Sequence, residues 1–119
     1  MLLNVQFGFS QFSDDFTDGD FSVNPVWTGD DVLFTAAANE LNSQSPTAGN
    51  YYLSTPSSLA LNAQWDFYFN FQFGTSGVNF TDVFLTSDVA DVSNPNDGYF
   101  VRMWGTPDEI SLYKVVAGL

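Results

Sequence analysis

Fourteen carboxylates and two cations, with no histidine and no cysteine, set the chemistry open to this 119-residue chain. Hydrolysis of a glycoside with retention needs an acid and a nucleophile, two carboxylates roughly 5–5.5 Å apart. Enzymes that do this on a β-sheet commonly place two Glu around an Asp on one strand. Here the only Glu residues are Glu40 and Glu109, in different predicted hairpins, and neither belongs to a Glu-x-Asp-x-x-Glu strand. Without an imidazole or a thiolate, a hydroxyl nucleophile has no evident base. The chain is therefore expected to be non-catalytic.

Oxygen ligands are plentiful, and hard cations such as calcium favour them. Two clusters qualify. Asp14, Asp15, Asp18 and Asp20 lie near the start, and Asp88, Asp91, Asn94, Asn96 and Asp97 precede Gly98. Neither follows the alternating ligand pattern of an EF-hand that ends in Glu. The same residue types also build tight turns, and Asn96-Asp97-Gly98 reads as turn chemistry. Two expectations stand side by side: a structural calcium held by Asp88, Asp91, Asn94 and Asp97, or a loop that uses these side chains to close itself.

The third chemistry is recognition of sugars, whose rings stack on aromatic faces while amides, carboxylates and guanidinium groups take the hydroxyls. Asp66, Tyr68, Asn70, Gln72, Asp82, Phe84, Arg102, Trp104, Ser111 and Tyr113 would share one face if four predicted strands join one sheet. Tyr68, Arg102, Trp104 and Tyr113 are the expected ligand-binding set. The competing expectation is packing, since aromatic residues in sheets mostly serve it.

Charge narrows the partners. The net charge is -12, with Arg102 and Lys114 the only cations. Two isolated cations make no basic stripe for nucleic acid, and anionic membranes repel such a chain. A polysaccharide or surface glycan, together with other domains of the same polypeptide, remains as the expected partner class. The absence of cysteine removes any disulfide framework or thiolate metal site.

Alternation at period two dominates the pattern, and no window carries a helical stripe. From Trp65 to Phe73 the residues Trp65, Phe67, Phe69, Phe71 and Phe73 point one way, which predicts a long central strand. Gly74 to Gly77 is expected to turn it into an antiparallel strand over Phe80 to Ser87. A second pair is predicted over Gly98 to Trp104 and Glu109 to Val116, joined by Gly105-Thr106-Pro107-Asp108, where the fixed φ of Pro107 suits a turn. Val32 to Thr35 and Glu40 to Ser43 read as a short hairpin, and Tyr51 to Ser54 as another strand. Ala36 to Ala38 has the composition of a single helical turn. Seven or eight short strands argue for an all-β, antiparallel β-sandwich or jelly roll.

The segments FSDDFTDGDF, NPVWTGD, YYLSTP, QWDFYFNFQF, VFLTSDVADVSNPNDGYFVR and GTPDEISLYK occur in this order. In order and spacing the chain resembles the N-terminal concanavalin A-like (laminin G-like) domain of large secreted bacterial surface proteins, which often carry a lamin-tail domain. The resemblance covers Phe12 to about Lys114. It implies a two-sheet jelly roll, a secreted or cell-surface location, and an accessory role beside other domains. Members usually continue for several strands past the segment matching Ser111 to Lys114, so residues 12–119 are expected to form a sandwich incomplete at its C-terminus, with an open edge there. Met1 to Gln11 is expected to be either the remnant of a signal peptide or an N-terminal strand over Leu3 to Phe9.

Overall fold

The computed structural model describes residues 13–58, 61 and 63–117. The signal remnant or strand expected over Met1 to Gln11 lies outside them. In chain order the elements are β1 (Thr28–Gly29), a 3-10 turn (Asp31–Leu33), β2 (Phe34–Ala37), β3 (Glu40–Ser43), β4 (Leu53–Ser54), β5 (Thr81–Ser87), β6 (Gly98–Trp104) and β7 (Glu109–Val115). All pairings are antiparallel: β1 with β4, β2 with β3, and β5 with β6 with β7. The chain is all-β, as the period-two pattern predicts. Among the described residues no helix is long and apolar enough to cross a membrane.

Local chemistry explains the small hairpins. Ala38 and Asn39 take φ of 54° and 64° between β2 and β3, the left-handed pair that a two-residue turn requires. This corrects the helical turn expected at Ala36 to Ala38, because Ala36 and Ala37 pair with Leu41 and Glu40 instead. It also moves the first strand of the hairpin forward, and Val32 falls in the 3-10 turn. The strand expected from Tyr51 pairs only from Leu53. Asp30 prolongs its contact with β1: its amide donates to the Tyr52 carbonyl at 2.9 Å, and its carboxylate accepts from the Tyr52 amide at 3.0 Å.

The three-stranded sheet follows the predicted segments closely. β6 and β7 pair in continuous register from Gly98 with Val115 to Trp104 with Glu109. Between β5 and β6 the register slips after Phe84, so that Thr86 faces Tyr99 and Leu85 is the extra residue. Such a bulge bends the strand and increases its twist. Gly98 makes the adjacent approach possible, since a Cβ there would run into the Thr86 carbonyl oxygen.

The segment Trp65 to Phe73 departs from its prediction. The rings of Phe67, Phe69, Phe71 and Phe73 stand in a row whose centroids are 5.3, 5.8 and 5.4 Å apart. Yet the segment belongs to no sheet. The reason lies in the next residues. The Thr75 hydroxyl bridges the Gly105 carbonyl and the Asp108 carboxylate at 2.6 Å each, and the Gly105 amide donates to the Ser76 carbonyl at 3.3 Å. These bonds anchor the chain on the β6–β7 turn. It then reverses over 76–79, where Ser76 Oγ accepts the amides of Val78 and Asn79. The phenylalanine ribbon therefore arrives from across the sheet and not from beside β5.

Burial is correspondingly thin. Met103, 5% exposed, is the only hydrophobic residue fully buried among the described residues. Phe69 and Phe71 are half-buried, whereas Trp65, Phe67 and Phe73 are exposed. The rings rest against one layer and are open on the other sides.

Candidate functional site

Alternation along β6 projects Phe100, Arg102 and Trp104 from one face of the sheet and Tyr99, Val101 and Met103 from the other. Register then builds the first face in rows across the strands. Phe84, Phe100 and Tyr113 form one row, Asp82, Arg102 and Ser111 the next, and Trp104 stands opposite Glu109. Arg102, Trp104 and Tyr113, three of the four expected ligand-binding residues, thus share a face with Asp82, Phe84 and Ser111.

The aromatic row is a ladder. Phe84 and Phe100 stack at 4.9 Å with planes 29° apart, and Phe100 and Tyr113 at 5.1 Å and 11°. Rings stacked in this way cover one another's faces, so Phe100 has neither face to offer. Tyr113 ends the ladder at the β7 edge, where no further strand pairs among the described residues. Tyr113 is half-buried there.

Arg102 lies beside this ladder. Its Nε and Nη2 donate to the two carboxylate oxygens of Asp82 at 2.6 Å each, the paired fork geometry that strengthens and orients such a bond. The guanidinium carbon sits 4.1 Å from the centroid of the Phe80 ring, 5.4 Å from Phe100 and 5.7 Å from Tyr113. The hydrogen bond to Asp82 raises the Arg102 pKa, against the opposing effect of its partial burial. A guanidinium has five N–H donors, and Asp82 takes two of them. The others are unbonded among the described residues. Trp104 Nε1, on the same strand, is shielded from solvent yet meets no acceptor there. Phe80 was not among the expected site residues. It stands one position before β5, and its even-numbered alternation with Asp82 was the available signal.

Tyr68 does not join this face. It lies on the outer side of the ribbon, 80% exposed, together with Asp66, Asn70 and Gln72, which correct the expected platform in the same way. Four strands in one sheet were required to bring them together, and the ribbon is not one of them.

The acidic loop closes on itself. Asp88 accepts the Asp97 amide at 2.7 Å, Asp91 accepts the Ser93 amide at 3.0 Å and the Asn94 side-chain amide at 2.8 Å, and Asp97 accepts the Ala117 amide. Asn96, also buried, donates to the carbonyls of Val92 and Asn94. Near the start, Asp14 accepts the Phe16 amide and the Trp27 indole N–H. Hydrogen bonds from Thr17 lower the pKa of Asp15, and those from Ser22 lower that of Asp20. Among the described residues no three His, Cys, Asp or Glu side chains converge as a metal site. Glu40 and Glu109 stand on β3 and β7, in separate sheets.

No family model, curated protein or solved structure matches this chain.

Proposed function

We propose that the chain is a non-catalytic recognition module of a secreted or surface polypeptide, part of a jelly-roll sandwich, that takes a glycan at the β7 edge of its sheet. The observation that carries this reading is Arg102. Its guanidinium is fixed by Asp82 over Phe80, beside Tyr113, with N–H donors to spare. A sugar ring stacked on the face of Tyr113 turned away from Phe100 brings its hydroxyls to those donors and to Ser111, the next residue of β7 on the same face. The fork is held in place before the ligand arrives, which lowers the entropy lost on binding.

A second reading, a spacer that presents neighbouring domains, is favoured by the ladder itself, because its inner rings are spent on one another. One experiment separates the two. A polysaccharide and glycan array is probed with the parent chain, Tyr113→Ala and Arg102→Lys, each checked for folding by circular dichroism. Recognition predicts a binding signal for the parent that falls at least tenfold in both variants. A parent that binds nothing leaves the spacer, and binding unchanged in both variants removes this site.

A further inference from the structure

Where the ribbon meets the β6–β7 turn it leaves a cleft of about 450 Å³, within the roughly 300–1,000 Å³ of ligand pockets. Three rings of the ribbon, Phe69, Phe71 and Phe73, line it together with Trp104 and the apolar Met103 and Ile110. Phe73 is tilted 54° from Phe71 and half exposed, so aromatic surface remains to meet a ligand. Set among these side chains is one charge. Among the described residues Asp108 is the single ionisable group of the lining. The buried Thr75 hydroxyl meets one oxygen of its carboxylate at 2.6 Å, which holds the group in place before a ligand arrives. The other oxygen has no hydrogen-bond partner among the described residues.

An aromatic ring carries negative charge on its faces and attracts a cation placed over them. Rings joined by a fixed carboxylate therefore favour an organic cation, and neither of the protein's own cations lines the cleft. Arg102 is held by the Asp82 carboxylate. Lys114 is four residues from Ile110, about 13 Å along the strand, and its ammonium lies 6.0 Å from the Tyr99 ring centroid. Hydrogen bonding narrows the kind of cation. A primary ammonium has three N–H donors, and leaving them unpaired on burial is costly. The lining side chains hold oxygen only on Thr75 and Asp108, and the Thr75 hydroxyl is already spent on Gly105 and Asp108. One free carboxylate oxygen cannot satisfy three donors, whereas a trimethylammonium group has none and presents methyl groups to the rings. We propose that this cleft binds a trimethylammonium group of the kind carried by choline. Phe69, Phe71, Phe73 and Trp104 surround the methyl groups, and Asp108 is the counter-ion.

Isothermal titration calorimetry with choline chloride tests this. The comparators are ethanolamine, which keeps the alcohol and the charge on a primary ammonium, and the neutral isostere of choline in which carbon replaces nitrogen. Both are expected to bind at least tenfold more weakly. In the protein, Asp108→Asn removes the charge, keeps an oxygen for Thr75 and suits the left-handed φ of 58° at this position. It is expected to weaken choline at least fivefold, with circular dichroism confirming the fold. Phe71→Leu, which keeps apolar bulk and removes a ring, is expected to weaken it at least threefold. A parent that does not bind choline overturns the proposal. So does an isostere that binds as well as choline, which leaves only an apolar cleft, and so does ethanolamine binding equally well. A folded variant of either kind that binds choline like the parent overturns it too. Co-sedimentation with phosphatidylcholine vesicles then separates the sources. Sedimentation that free choline blocks assigns the group to a lipid headgroup, and choline binding without sedimentation assigns it to a free solute; either supports the site. Tyr113 and Arg102 do not line this cleft, so the glycan array and this titration succeed or fail separately.

Discussion

The ribbon at 65–73 and the sheet of β5, β6 and β7 are built from similar residues, alternating aromatic and polar, and they hold their rings in different ways. In the sheet, Phe84, Phe100 and Tyr113 come from three strands and stack across the ladder. In the ribbon, Phe67, Phe69, Phe71 and Phe73 come from one segment and meet one another only along it. Contacts between strands are fixed by backbone hydrogen bonds that set the distance and the register. Contacts within a single strand have no such frame. Alternation therefore specifies which way side chains point, and pairing specifies how firmly they are held.

The largest loss of stability is expected at the bulge. Gly98 is buried, and a Cβ there meets the Thr86 carbonyl, a backbone atom that cannot rotate away. Gly98→Ala is expected to cost about 3 kcal/mol, the upper range for forcing extra volume into a packed site. Thermal melts followed by far-ultraviolet circular dichroism read this directly. A melt like that of the parent would show that β5 and β6 do not approach at this point.

A smaller effect separates the two ring systems themselves. Phe100 is covered on both faces, so Phe100→Ala is expected to lose about 2 kcal/mol, less than the cost at a fully buried site because the ladder is half-exposed. Phe69→Ala, in a ribbon packed against one layer, is expected to lose about 1 kcal/mol. Urea titration of the two variants gives the ratio. Equal losses would place the ribbon inside the cooperative unit of the sheet.

How much of this was legible in the sequence follows from the same difference. The strands β6 and β7 could be read because their turn is short and its chemistry local: Gly105 and Pro107 mark it, and register follows from its length. The face shared by Asp82, Phe84, Arg102, Trp104, Ser111 and Tyr113 could be read because parity survives any twist of the sheet. Membership of the ribbon could not, because it depends on Thr75 meeting Gly105 and Asp108, thirty and thirty-three residues away. The orientation of the rings was equally hidden, since composition does not tell a platform that shows its faces from a ladder that covers them. The acidic loop was ambiguous for another reason. Asp and Asn serve as ligands and as turn formers alike, and only the geometry shows Asp88 and Asp91 accepting the loop's own amides while Asp97 accepts that of Ala117, beyond β7.

Two tyrosines, one in each region, differ by less. Tyr68 and Tyr113 were both expected to serve the site, and each lies in a segment of alternating aromatics. Tyr113 has one ring face against Phe100 and stands half-buried at the end of the ladder, whereas Tyr68 projects from the ribbon into solvent. Removing stacked area predicts a loss of about 1 kcal/mol for Tyr113→Ala. A surface substitution without such a contact predicts a change within about 0.5 kcal/mol for Tyr68→Ala. Hydrogen exchange then shows where the difference arises. Amides of β6 that bond within the sheet are expected to be protected in the parent and to lose protection in Tyr113→Ala, while those of 65–73 exchange freely in both. Protection over 65–73 would mean that the ribbon already has a strand beside it, and its contrast with the sheet would fall with that result.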